Sequence, residues 1–206
     1  MELNDKQLLI LKTAEKLFAE FGYDGTSVRQ ISNEARVNVA MISYYFGSKE
    51  KLLEALMIYR LKDFKVQVEN IMNTKKNYFE KLDAFVEMMI KRVHKNRQVY
   101  KIVNFEYSSG ARNISFETYE NYKKDNFKIV ENFVSNGQKE GIFSTNVNTH
   151  LIIPTILGTY FHFHFNQQFY QNLLQLKNKT EVDHYIHNTL TTHIQQTIKG
   201  LLTYEK

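Results

Sequence analysis

Between Gly25 and Leu53 the chain reads GTSVRQISNEARVNVAMISYYFGSKEKLL, and no other stretch restricts its fold as strongly. Val28, Ile31 and Ala35 recur at three- and four-residue spacing, the mark of one buried helical stripe. Thr26 or Ser27 stands where a hydroxyl can accept the orphan N–H groups of that helix's first turn. Asn38 can do the same for a second short helix, in which Ile42, Tyr45 and Phe46 form the inward stripe. Val39, Ala40, Met41, Ser43 and Tyr44 are then left pointing away from the core. Two short helices joined by a tight turn make a helix-turn-helix, and the free face of the second helix enters the DNA major groove. A third helix opens at Ser48-Lys49-Glu50. The expectation is a DNA-binding headpiece.

On these residues the chain resembles the TetR family of bacterial transcriptional regulators. Leu8, Leu11, Ala14, Leu17, Phe18 and Phe21, followed by Gly22-Tyr23, are similar to the family's first helix and its exit. Thr26 to Ile31 looks like its second helix. Ser43 to Leu53 (SYYFGSKEKLL) is similar to the aromatic pair, Phe, small residue and Ser-Lys-Glu pattern that closes the reading helix and begins the next. Two positions depart from the family pattern. Arg36 stands where the turn usually carries a glycine, and a left-handed backbone costs a non-glycine residue about 1 kcal/mol. Val39 stands where a basic residue is often found. The resemblance implies a palindromic double-stranded operator as partner. Ser27, Arg29, Tyr45 and Lys49 would contact phosphates or the groove edge, and Asn38, Val39, Ala40, Met41, Ser43 and Tyr44 would lie at the base-reading helix. Lys49, at a helix N-terminus facing the backbone, is expected to serve DNA without serving stability.

The rest of the chain narrows the alternatives. A chain of 206 residues suits one small headpiece, expected at 3–62, and one larger domain, expected at 63–206. The absence of cysteine removes disulfides and thiolate metal sites and fits a reducing cytoplasm. Met1 to Lys6 shows no basic region followed by a long apolar run, so no signal peptide is expected. No apolar stretch approaches the ~20 residues of a membrane span. Asn113-Ile-Ser and Asn178-Lys-Thr match the glycosylation pattern by chance in a chain that is not secreted. The formal net charge is +5, yet residues 1–60 carry Lys6, Lys12, Lys16, Arg29, Arg36, Lys49, Lys51 and Arg60 against an equal number of acids. Bulk charge therefore says nothing for DNA binding. The local placement of Arg29, Lys49 and Lys51 around the reading helix does.

Downstream the pattern stays helical, with glycines and the single proline as punctuation. Helices are expected at about 48–70, 78–95, 96–107, 115–138, 148–174 and 181–202, with breaks at Asn73 to Asn77, at Ser108-Ser109-Gly110 and at Glu140-Gly141-Ile142. No strand alternation is present, and the class is all-α. The helix expected at 148–174 is apolar almost all round, from Leu151 and Ile152 to Phe165, with Gly158 at its middle. In the last helix Tyr185, Ile186, Leu190, Ile194, Ile198 and Leu201 form a stripe. This pair looks like the two helices that each subunit of the family gives to a four-helix homodimer interface. The resemblance also implies a pocket for an unidentified small-molecule effector. Phe105, Tyr119, Tyr122, Phe161, His162 and Phe165 are its expected lining, with His162 as a polar handle.

Metal and catalytic chemistry find no footing. His162 and His164 fall on different helix faces, and His184 with His187 lacks further ligands, Asp183 reading as surface polarity. There is no phosphate loop, nucleophile elbow or HExxH, and Glu15 and Glu20 read as solvated surface. No cofactor is expected. The chain reads as a cytoplasmic, homodimeric repressor released by a small, largely apolar ligand. The alternatives are an ungated DNA-binding protein of chromosome organisation, or a carrier or enzyme that kept the fold and lost DNA binding.

With no Arg or Lys between Asn38 and Phe46, the bidentate arginine–guanine contact is unavailable from the reading helix itself. Val39, Ala40 and Met41 would meet thymine methyls, and Arg29 would supply the guanine contact from the preceding helix. Selection from a random duplex library should return A·T-rich half-sites with about one discriminating G·C pair. G-rich half-sites would contradict this reading.

Overall fold

The structure is a computed structural model that describes residues 3–109 and 116–204. Gly110, Asn113 and Ser115, expected to mark a helix end, a glycosylation pattern and a helix start, lie outside the described residues. Among the described residues every regular element is helical, and the fold is all-α. The packing forms two units, Met1–Phe64 with Asn96–Lys124, and Lys65–Lys95 with Asp125–Lys206. The described residues 96–109 and 116–124, expected in the second domain, fall in the unit of the headpiece.

The first unit contains α1 (Asp5–Phe21), α2 (Val28–Glu34), α3 (Val39–Phe46), the start of α4 (Lys49–Met72), α6 (Arg97–Ser109) and the start of α7 (Glu117–Lys139). Asn4 opens α1 and Ser27 opens α2, each through a reciprocal capping box with the Gln three residues on. Ser27 is thus the cap. Thr26 is instead buried, its hydroxyl donating to the carbonyls of Leu17 and Gly22. Ile10, Leu11, Ala14 and Phe18 of α1 meet Ile31 and Ala35, Ile42, and Leu52, Leu53 and Leu56 of α4 in one core. Val99 and Val103 of α6 and Tyr119 of α7 close it. Glu15 is not free surface: it accepts a hydrogen bond from Arg60 Nε at 2.7 Å, tying α1 to α4.

Arg36 has φ +53°, the left-handed conformation expected at this turn. Its N–H donates to Asn33 and that of Val37 to Ser32, the double bond that closes a helix in a Schellman turn. Gly141 (φ +68°) ends α7 the same way, with Ile142 N–H donating to Gly137 and Gly141 N–H to Gln138.

The second unit holds the rest of α4 and α7, then α5 (Tyr78–Lys95), α8 (Ile152–Phe165), α9 (Gln167–Leu173), α10 (Lys179–Tyr185) and α11 (Thr191–Thr203). Asn77 and Glu80 form the capping box that starts α5. Two expectations need correction. The apolar helix expected at 148–174 begins as a 3-10 turn at Thr149–Leu151 and breaks at Asn166, whose N–H and side-chain amide both donate to the His162 carbonyl. The final helix is interrupted by a π-helical turn, Ile186–Leu190, where the Thr191 hydroxyl donates to the Ile186 carbonyl.

Most of the stripe expected for dimerisation is used inside the chain, although Tyr185 is half-buried and Leu201 is exposed. Ile186, Leu190, Ile194 and Ile198 are buried, with α11 packed on α5 and α8. At its centre His94 lies with Nδ1 3.0 Å from the Tyr160 hydroxyl and Nε2 2.9 Å from an Asp183 carboxylate oxygen. Asp183 therefore tethers α10 to α5. One ring nitrogen faces the carboxylate and the other the phenol, so both are within hydrogen-bond distance of a partner.

Two stability predictions follow from these geometries. Arg36→Gly removes the left-handed strain and should raise stability by about 1 kcal/mol, seen as a melting temperature a few degrees higher. A lower melting temperature would refute the strain. Burial pushes the Tyr119 phenol up to about 12, helped by its neighbours Tyr100 and Tyr107. A raised phenol stabilises the fold below its ordinary value of 10.0 and loses that contribution as pH rises through the folded value. Wild type should therefore lose roughly 2–3 kcal/mol between about pH 10 and 12 that Tyr119→Phe does not lose. Parallel alkaline melting curves for the two proteins would contradict it.

Candidate nucleic-acid interface

Helix α3 has eight residues, too few to persist alone in water. It is held at both ends and from beneath. The Asn38 side chain accepts from Ala40 N–H at 2.8 Å, and at the other end Gly47 N–H donates to the Ser43 carbonyl at 2.9 Å. Ile42 is fully buried, with Tyr45 and Phe46 half-buried beside it, as the inward stripe requires. The opposite face is free. Tyr44 is 83% exposed, Val39, Ala40 and Ser43 are exposed, and Met41 is half-buried at the edge. Tyr44 and Tyr45 meet edge to face, with ring centroids 5.2 Å apart.

On α2, Arg29 is exposed. Ser27 is exposed too, but its oxygen accepts from Gln30 N–H at 3.1 Å, so the cap occupies part of its hydrogen-bonding capacity. Lys49 has an internal role that the sequence did not reveal. Its ammonium donates to the Thr26 carbonyl at 2.6 Å and sits 4.1 Å from the centre of the Tyr23 ring. Tyr23 in turn donates to Glu50 at 3.0 Å. Glu50's own backbone N–H, with the Ser48 and Tyr23 hydroxyls, holds that carboxyl below its ordinary range. Lys49, Tyr23 and Glu50 thus brace the start of α4 against the loop before α2. The expectation that Lys49 can be removed at no cost to stability is corrected.

The face of α3 offers methyl groups, hydroxyls and one projecting phenol, and no cation. Such chemistry suits contact with thymine methyls and base-edge acceptors and supplies no bidentate arginine–guanine pair.

The six residues expected to line an effector pocket fall into different settings. Tyr119 is 9% exposed and belongs to the core of the first unit, so it is a packing residue. Phe105, in the same unit, is exposed, and Tyr122 lies beneath the Lys62 ammonium at 5.2 Å. Phe161, His162 and Phe165 belong to α8 in the second unit. Phe161 and Phe165 stack at 5.5 Å, and His162 is exposed with its edge to Tyr170, not a handle within an apolar wall. Among the described residues no three His, Cys, Asp or Glu side chains gather as a metal site, and no helix is long and apolar enough to cross a membrane.

Comparison with known proteins bears on the whole chain. The family model described as bacterial regulatory proteins, tetR family, matches residues 10–56, and the tetracyclin repressor-like C-terminal domain matches residues 79–194. "Probable HTH-type transcriptional regulator YttP" of Bacillus subtilis (strain 168) is 30% identical over 148 residues, which span 70% of this chain and 70% of that one. The solved fatty acid degradation regulator FadR of Bacillus halodurans shares the fold with a TM-score of 0.73 at 20% identity, over 97% of each chain. The transcriptional regulator FadR of Bacillus subtilis, solved in complex with stearoyl-CoA, superposes with a TM-score of 0.69 at 19% identity, over 91% of this chain and 96% of its own. With a capped helix-turn-helix at its start and a matching helical domain behind it, the chain belongs to the TetR family of transcriptional regulators.

Proposed function

We propose that the protein is a homodimeric repressor that binds a palindromic operator through α3 and leaves it when a largely apolar ligand binds. The free face of α3 carries this reading: a phenol with 83% of its surface in water, on a helix otherwise anchored in the core, is placed for a partner. In this reading Tyr44, Ser43, Ala40 and Val39 meet base edges, with Asn38 and Met41 at the margin. Arg29, Ser27, Tyr45 and Lys49 meet the backbone.

The dimer reading rests on a second apolar face. Along α8 and α9, Phe161, Phe165, Phe169 and Leu173 recur every four residues while the opposite side of α8 is buried. Phe165 and Phe169 are each 61% exposed, and a side chain at Gly158 would meet nothing within 4 Å. A face of this kind on a folded chain calls for cover, and a second copy also supplies the second reading helix. For the ligand, the fold shared with a regulator solved with stearoyl-CoA supports a long-chain acyl thioester as the first candidate. The start of α4 lies directly after α3, so a ligand that shifts α4 alters the spacing of the two reading helices. A coupling of roughly 3 kcal/mol would weaken operator binding more than a hundredfold.

Fluorescence anisotropy with a labelled duplex from the chain's own upstream region tests this. Wild type should bind in a salt-dependent manner and release the duplex when stearoyl-CoA is added. Tyr44→Ala should weaken binding at least about tenfold with an unchanged melting temperature. Phe165→Asp with Phe169→Asp should give a folded monomer by light scattering. Binding that ignores Tyr44 would refute the α3 assignment. Binding that ignores acyl thioesters and a wide panel of other apolar compounds would favour the ungated alternative.

A further inference from the structure

The second unit contains a cleft of about 330 Å³ between the end of α4, the start of α5 and the middle of α7. One wall is apolar and held firmly. The Tyr78 ring packs on Phe133 at 5.3 Å, and both rings pack on Phe143 at 5.4 and 5.8 Å. Gly137 lets this cluster close up: a side-chain carbon there would fall 2.3 Å from the Phe143 ring. The Tyr78 hydroxyl is spent on Glu140, to which it donates at 2.8 Å, so only its ring serves the cleft. Met72 and Ile129 extend the same apolar surface.

The remaining lining is polar and electrically balanced. Glu69 comes from α4, Asn73 from the residue just after it and Lys81 from α5, with the amides of Asn132 and Asn136 from α7. Among the described residues no hydrogen bond or ion pair occupies the Lys81 ammonium or those two amides. Glu69 has only Lys65 at 3.9 Å, a long contact on an exposed helix face. One free cation, one loosely engaged anion and three carboxamides therefore border a preformed aromatic wall.

We propose that this cleft binds a zwitterionic α-amino acid with an aromatic or branched apolar side chain. Lys81 takes the carboxylate, Glu69 the ammonium, and the side chain lies on Phe133 and Met72. The charges decide the class: a purely anionic ligand would face Glu69 and a purely cationic one Lys81, while a zwitterion satisfies both. The volume sits at the lower end for small-molecule sites and suits a single residue, not a coenzyme thioester. This site is separate from the operator reading and stands without it.

Isothermal titration of the DNA-free, full-length chain with L-phenylalanine and L-leucine tests the proposal. Phenethylamine lacks the carboxylate and 3-phenylpropionate lacks the ammonium, and each should bind at least about tenfold more weakly than L-phenylalanine. Lys81→Met should bring L-phenylalanine down towards phenethylamine, and Glu69→Gln should bring it down towards 3-phenylpropionate. Both side chains lie on the surface of the cleft, so unchanged melting temperatures will show that the variants are folded. No heat from either amino acid up to about 10 mM, or affinity that ignores either substitution, would overturn it.

Discussion

An eight-residue helix has no stability of its own in water, so everything that α3 does depends on what holds it. The hold is the headpiece core. Ile42 is the fully buried residue through which α3 enters a cluster built from α1, α2 and α4, with Tyr45 and Phe46 seated at its margin. The Asn38 cap sets where the helix begins, and Arg36 in its left-handed turn sets the direction from which it arrives. With these in place the free face has one orientation, and Tyr44 projects from it with its ring against the edge-to-face neighbour Tyr45. Anchored side and free side are therefore separable, as a surface evolved for a partner requires.

The second unit uses a different device. Its helices are joined through apolar contacts, but at the centre the His94 imidazole spans a phenol on α8 and a carboxylate on α10. A buried polar group is tolerable only when its hydrogen bonds are complete, and completing them requires three helices in register. The π-helical turn after α10 and the break at Asn166 lie in the same unit. Both interrupt a helix whose apolar pattern alone would run straight on. Phe165 and Phe169 stand in water on either side of the break at Asn166, while Ile152, Ile153, Ile156, Tyr160 and Phe163 of α8 are buried.

Much of the headpiece was legible because its determinants are local. Caps, the three-and-four spacing and the turn residue act within a few positions of one another, so Asn38, Arg36 and Ile42 could be placed from the sequence and the first cap narrowed to Thr26 or Ser27. The bounds of α5 were legible for the same reason, since the break at Asn73 to Asn77 lies directly before it. Long-range pairings were not. Nothing near Asp183 announces a histidine 89 residues away, and nothing near Lys49 announces the Thr26 carbonyl or the Tyr23 ring. The break at Asn166 escaped because asparagine competes with the helix through its side chain, leaving the hydrophobic period intact. Aromatic content suggested a lined pocket, but composition cannot say which rings face a cavity and which fill a core. Tyr119 proved to be core.

The most direct test of the central claim, that the free face of α3 reads DNA, is a photo-cross-linking experiment at position 44. Tyr44 would be replaced by a benzophenone-bearing phenylalanine, which preserves the aromatic ring and needs no change elsewhere. Irradiation with the operator duplex should give a covalent protein–DNA adduct, mapped to a base within a half-site and competed away by unlabelled operator. A folded protein that retains operator binding yet yields no adduct from position 44 would contradict the account.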